Sequence, residues 1–176
     1  KKTIIICALV TILILGGVIS GVSLLFNHPL RIEKPTFIYI DRDDTADSVY
    51  VKLQRDLNAT HLTGFKILAR LKKYDQQIHS GAYRFDASIN TLTLFRRLSS
   101  GHQTPVKVVI PSVRTLSRLA RSLDRQLMPD STEFARLVGD SAFCASLGFS
   151  LETMPALFIP NTYEAYWNTD AEAFIQ

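Results

Sequence analysis

A chain of 176 residues with 20 lysines and arginines against 16 acidic side chains carries a formal net charge of +4. Lys1 and Lys2 supply two of those charges, and the rest of the chain sets 18 basic against 16 acidic residues, a net +2. That excess is too small to build a phosphate-binding face, which argues against nucleic acid as a partner.

The run from Thr3 to Phe26 has no charged side chain. A helix needs roughly 20 apolar residues to cross the hydrocarbon core of a bilayer, so the run predicts a single membrane span. Lys1 and Lys2 then mark the cytoplasmic flank, with everything after the span outside the cytoplasm. The alternative is a cleaved signal peptide, but its apolar region is normally only about 7 to 15 residues long, and the length favours a retained anchor. Gly16, Gly17, Ser20 and Gly21 either form a close-packed helix face or are simply tolerated there. Cys7 falls inside the run, and Cys144 has no second cysteine to pair with in the exterior part. Between Phe143 and Leu147 it reads as a small buried apolar residue. Without an initiator Met, and stopping within a predicted helix, the chain reads as a fragment.

Leu30 to Pro35 reads as a polar linker. Phe37 to Asp41 is β-branched and aromatic and predicts a strand. Ala46, Val49, Tyr50, Leu53 and Leu57 form one helical face behind a cap at Asp44 or Thr45. After a break at Asn58 to His61, a second helix carries Phe65, Leu68, Ala69 and Leu71 and ends at Lys72 and Lys73, where cations suit the helix dipole. Gly81 to Phe85 alternates like a short strand. The order strand, helix, helix, strand over Thr36 to Phe85 resembles a LysM-type fold, and the resemblance implies a module that binds glycans containing N-acetylglucosamine.

A third helix follows a cap at Asn90 or Thr91, with Leu92, Phe95 and Leu98 inward and Gly101 as the residue that stops it. Thr104 to Ile110 predicts a strand ended by Pro111. Leu116, Leu119, Ala120, Leu123 and Leu127 form the most regular stripe in the chain, and Arg114, Arg118, Arg121 and Arg125 form a basic one opposite. The basic stripe is either a solvated face, which Asp124 favours by interrupting it, or an attraction for anionic headgroups or glycan carboxylates. Two shorter helices are predicted over Thr132 to Val138 and Ser141 to Leu147, and Asp170 is placed to cap a last one.

The chemistry concentrates in Leu157-Phe-Ile-Pro-Asn-Thr-Tyr-Glu-Ala-Tyr-Trp-Asn168. Three aromatic rings, two asparagines and a carboxylate follow Pro160, a composition suited to sugars, whose faces stack on rings while hydroxyls bond to amides and carboxylates. The other reading is a Pro-Asn turn with its aromatics in a core. The candidate substrate-binding residues are Asn161, Tyr163, Glu164, Tyr166 and Trp167. Histidines 28, 61, 79 and 102 lack ligand spacing, and no Gly-rich phosphate loop or G-x-S-x-G elbow is present, so no metal or organic cofactor is expected.

The stretch Leu157 to Trp167 resembles the L-E-G-Y-L-F-P-D-T-Y-E-F segment of the YceG-like endolytic murein transglycosylases, and the G-x-Y-R-F strand at Gly81 to Phe85 is similar to theirs as well. Pro155-Ala156 stands where the family often has Glu-Gly, and Asn161 replaces its Asp, so position 161 cannot act as a carboxylate. Glu164 matches the glutamate of the family's T-Y-E, with a substrate-positioning role. The resemblance implies an enzyme that cleaves the bond between N-acetylmuramic acid and N-acetylglucosamine in nascent strands and leaves 1,6-anhydro ends. Its acid/base glutamate lies in a later helix, so the catalytic residue is expected beyond Gln176 and none is assigned here. Cell-wall synthases are implied partners besides the glycan. The alternative is a non-catalytic peptidoglycan-binding or envelope-assembly protein.

The fold expected is α+β: a membrane helix over 1–27, a LysM-like βααβ unit over 28–103, and the opening of a mixed α/β catalytic domain over 104–176. The location expected is the bacterial cytoplasmic membrane, single-pass, with the C-terminal part periplasmic.

Overall fold

The structure, a computed structural model, describes all residues except 1, 28, 31, 33, 59–61, 87, 113 and 114, together with the side chains of 2–5, 7, 8, 22 and 25. In chain order the elements are α1 (Lys2–Asn27), β1 (Pro29–Leu30), β2 (Thr36–Ile40), α2 (Ala46–Asp56), α3 (Thr63–Leu71), β3 (Gly81–Phe85), β4 (Ile89–Asn90), α4 (Thr91–Ser99), β5 (Val106–Ile110), α5 (Leu116–Asp124), α6 (Ser131–Val138), α7 (Ser141–Ser146), β6 (Asn161–Ala165) and α8 (Ala171–Ile175). The strands form three two-stranded sheets, β1 with β4, β2 with β3, and β5 with β6. The chain divides into two compact units.

The membrane span expected at the N-terminus is corrected. The stretch is helical, as α1, and exposes Leu9, Ile12, Leu13 and Ile19. Among the described residues no helix is long and apolar enough to cross a membrane. The expected transmembrane helix is therefore removed from the fold class, and the single-pass membrane location goes with it.

The first unit comprises Lys1–Ile38, Asp44–His79 and Arg84–His102. Thr45 opens α2 through a reciprocal cap: its hydroxyl accepts from the Ser48 N–H at 3.2 Å, and the Ser48 hydroxyl accepts from the Thr45 N–H at 2.9 Å. Asn58 follows the helix at φ 50, a left-handed conformation that asparagine tolerates and that stops α2; the rest of the expected break, 59–61, lies outside the described residues. Val49, Leu53, Leu62, Phe65 and Tyr74 are buried. Phe65, Tyr74 and Phe95 meet pairwise at 5.6 to 5.9 Å between ring centroids, the tilted and edge-on distances that aromatic pairs prefer.

Asn90 caps α4 by accepting from the Thr93 N–H at 2.8 Å. Gly101, at φ +67, closes it, with His102 N–H donating to Arg97 C=O and Gly101 N–H to Leu98 C=O. The inward face of α4 differs from the expectation at one position: Thr91, Leu94, Phe95 and Leu98 are buried, and Leu92 is exposed. The buried set has the spacing i, i+3, i+4, i+7 of one helix face, and Leu92 stands about 100° off it. The expected polar linker also differs, since Leu30 is buried and pairs antiparallel with Ile89.

The second unit comprises Tyr39–Asp43, Ser80–Tyr83 and Gln103–Gln176. Thr115, Asp130 and Asp140 cap α5, α6 and α7 with their side chains. Leu119, Ala120 and Leu123 of α5 are buried with Leu127 just beyond it, while Arg118, Arg121 and Arg125 are exposed. Arg114 lies outside the described residues. Cys144 is buried, and Phe134 of α6 meets Phe174 of α8 edge-on at 6.2 Å. Asp170 occupies the cap position of α8 without making the cap bond, because its carboxylate pairs instead with the Arg42 guanidinium.

Candidate functional site

The segment singled out by composition is a strand rather than a turn. Val106, Val108 and Ile110 of β5 are buried while Lys107 and Val109 are exposed, the period-2 signature of a strand with one face on the core. β6 lies antiparallel to it, pairing Val106 with Ala165, Lys107 with Glu164, Val108 with Tyr163, Val109 with Thr162 and Ile110 with Asn161. Opposed residues share a face of the sheet. Asn161, Tyr163 and Ala165 are thus on the side of the β5 core residues, and Thr162 and Glu164 on the outer side with Lys107.

β6 is exposed from Asn161 through Glu164, so the strand is a presented edge. Beside it opens a cleft of about 370 Å³, lined by Ile110, Leu157, Phe158, Tyr163, Glu164 and Phe174 among others. The Tyr163 hydroxyl donates to the Ile159 carbonyl at 3.1 Å, which fixes a ring that remains 37% exposed. The Asn161 side-chain oxygen accepts from the Thr162 N–H at 2.8 Å, which commits half of its amide locally and leaves the NH₂ group for other partners.

The remaining candidates go elsewhere. Tyr166 is exposed. Trp167 is half-buried, its carbonyl accepting from the Met128 N–H at 2.8 Å, and its ring meets Tyr39 at 5.1 Å between centroids, tilted by 60°. That pair lines a second groove of about 470 Å³ with Lys107 and Arg125. Asn168 is a structural residue, since its NH₂ donates to the Ser80 carbonyl at 2.9 Å. Of the five candidates, Tyr163 and Glu164 share one cleft and Trp167 lies in another.

Sequence reasoning passed over Tyr39. The signal was the alternation of β2, in which Ile38 and Ile40 are buried and Tyr39 is turned outward. Partial burial raises the Tyr39 phenol above its ordinary value. Among the described residues, no group of three or more His, Cys, Asp or Glu side chains is placed to hold a metal ion.

These features define a mixed α/β protein that presents an aromatic, amide and carboxylate-bearing strand beside an open cleft. Residues 38–176 match the model of the YceG-like family, and the chain belongs to that family. Among solved structures it is similar to the 2.6 Å crystal structure of a yceG-like protein from Listeria monocytogenes, at 17% identity and a TM-score of 0.40, over 81% of this chain and 52% of that one. The chain therefore spans about half the length of that protein. No curated protein matches it.

Proposed function

We propose that this chain supplies glycan-recognition surface to an endolytic peptidoglycan lytic transglycosylase. The observation that carries the reading is the placement of Tyr163 and Glu164 together on an exposed strand at a cleft, in a member of the YceG-like family. The ring offers an apolar face to a pyranose, and the carboxylate, on the other face of the strand, accepts from hydroxyls of the glycan as it passes the strand edge.

In the proposed reaction a carboxylic acid protonates the glycosidic oxygen between N-acetylmuramic acid and N-acetylglucosamine. The bond from that oxygen to the muramyl anomeric carbon breaks, the muramyl 6-hydroxyl attacks the same carbon, and its proton returns to the carboxylate. The product is a 1,6-anhydro ring. Ordinary glycosidases need a second carboxylate as nucleophile or as base for a water; an internal hydroxyl held close removes that need. Glu164 stands exposed on a strand edge, a placement that fits positioning of the glycan, and the reading assigns the acid to a residue outside these 176.

The test is digestion of purified uncrosslinked glycan strands by the full-length protein, with mass analysis of the products. Products lighter by one water than hydrolysis products support the reading. Binding without cleavage would replace it with a recognition protein.

A further inference from the structure

The bonds of Val109 fix which way the main chain of β6 faces. Both main-chain groups of Val109 are taken by the Gln126 side chain, the N–H at 2.8 Å and the carbonyl at 3.0 Å. They point away from β6, so Val109 and Thr162 form a non-hydrogen-bonded pair of the antiparallel ladder. By the same alternation, the N–H and C=O groups of Thr162 and Glu164 point away from β5. Among the described residues β6 has no second strand partner, and these groups form an open edge.

Asn161 stands at one end of that edge. Its Oδ1 accepts from the Thr162 N–H at 2.8 Å, which decides the orientation of the amide: the oxygen is turned to the main chain and the NH₂ group away from it. The residue is exposed, so position 161 presents an uncharged donor. An aspartate would make the same bond to Thr162 and present an acceptor instead. The residue type therefore sets the direction of the hydrogen bond on offer.

Asn161 and Tyr163 lie on one face of the strand, two residues or about 7 Å apart. That is the span from the centre of a pyranose, through the carbonyl of its 2-acetamido group, to a hydrogen-bond donor. A sugar hydroxyl both donates and accepts and does not distinguish asparagine from aspartate at this position, whereas an acetamido carbonyl only accepts. We propose that Asn161 makes the Tyr163 site selective for N-acetylated sugars: with a pyranose against the Tyr163 ring, the Asn161 NH₂ donates to the carbonyl of a 2-acetamido group. The assignment rests on the glycan reading above and deepens it by naming the substituent that is read.

The experiment measures binding by calorimetry to two neutral probes of equal length, an N-acetylglucosamine oligosaccharide and a cellulose-type glucose oligosaccharide, which lacks the acetamido group. The wild-type chain is expected to bind the acetylated probe about tenfold more tightly, the scale of one satisfied hydrogen bond against one lost. Asn161→Asp abolishes that preference, because a carboxylate then faces the carbonyl, and leaves binding of the glucose probe unchanged, because hydroxyls donate to it. Tyr163→Ala weakens both probes. Since Asn161→Asp keeps the bond to Thr162 at an exposed position, its unfolding midpoint is expected to match the wild type. Equal wild-type affinity for the two probes, binding of neither, or a preference that survives both Asn161→Asp and Tyr163→Ala overturns the assignment. The two readings fail separately: anhydro products with no acetamido preference remove only the role of Asn161, and an Asn161-dependent preference without cleavage removes only the transglycosylase.

Discussion

The side chain of Gln126 acts as a short strand against Val109. Its Oε1 accepts from the Val109 N–H at 2.8 Å and its Nε2 donates to the Val109 carbonyl at 3.0 Å, on the edge of β5 opposite β6. A bare strand edge is a template for unwanted pairing, and this amide covers it. The same Nε2 donates to the Ser122 carbonyl at 2.9 Å, tying the end of α5 to the strand that carries Lys107. Gln126→Leu removes all three bonds. At about 0.5 to 1.5 kcal/mol for each hydrogen bond, and with water free to replace part of them at this exposed edge, the expected loss is about 1 to 2 kcal/mol in urea unfolding. An unchanged midpoint would show that the edge is stable uncovered.

The facing of α4 is tested by two leucines two positions apart. Leu94 is fully buried and Leu92 is exposed. Leu94→Ala is expected to cost about 2 to 5 kcal/mol, as other buried leucines do. Leu92→Ala should stay within about 0.5 kcal/mol of the wild type. Reversed magnitudes in thermal or urea unfolding would turn the helix by one position.

Tyr83 gives the fold an alkaline limit. Burial pushes its phenol from the ordinary 10.0 up to about 12. Below the ordinary value the folded and unfolded states both hold the proton and stability is indifferent to this group. Between about 10 and 12 the unfolded chain ionises while the folded chain does not, so stability falls as pH rises through that window and levels off above it. Tyr83→Phe is expected to lose this component of the decline, seen as a shallower drop in unfolding free energy between pH 9 and pH 12 than the wild type shows.

Glu164 is expected to act on binding rather than on the proton transfer. Glu164→Gln keeps the size of the side chain and its position across from Lys107 while removing the charge. Uncrosslinked glycan should bind the variant about tenfold more weakly, the scale of one hydrogen bond to a charged group. In full-length protein the catalytic turnover at saturating glycan should fall little, and the effect should appear in KM. A collapse of turnover with unchanged KM would make Glu164 the acid.

Much of the fold was legible because its signals are local. The caps at Thr45 and Asn90 and the stop at Gly101 each depend on a few neighbouring residues, and each stands where side-chain chemistry places it. Pairings between distant segments were not legible. Asn161-Thr-Tyr-Glu-Ala follows a proline and lacks a hydrophobic alternation; it becomes β6 because Val106 to Ile110 offers it an edge more than fifty residues earlier. Asp170 reads as a cap, but the Arg42 guanidinium, 128 residues away in sequence, takes its carboxylate. Among the candidate residues, composition singled out the stretch but not its division: the strand places Tyr163 and Glu164 at one cleft, and the bend after it carries Trp167 to Tyr39. The apolar N-terminal run shows the converse limit, since hydropathy alone predicted a span and no described helix is long and apolar enough to make one.

Trp167 is the single tryptophan of the chain, and it belongs to the segment on which the glycan reading rests. Its intrinsic fluorescence, titrated with uncrosslinked peptidoglycan strands, therefore reports on that segment directly. Strand binding, followed by this fluorescence and by calorimetry, is predicted to be saturable and to weaken about tenfold in Glu164→Gln, which removes the carboxylate from the Tyr163 cleft. Strands that bind Glu164→Gln as tightly as the wild type would place the glycan elsewhere and contradict the account.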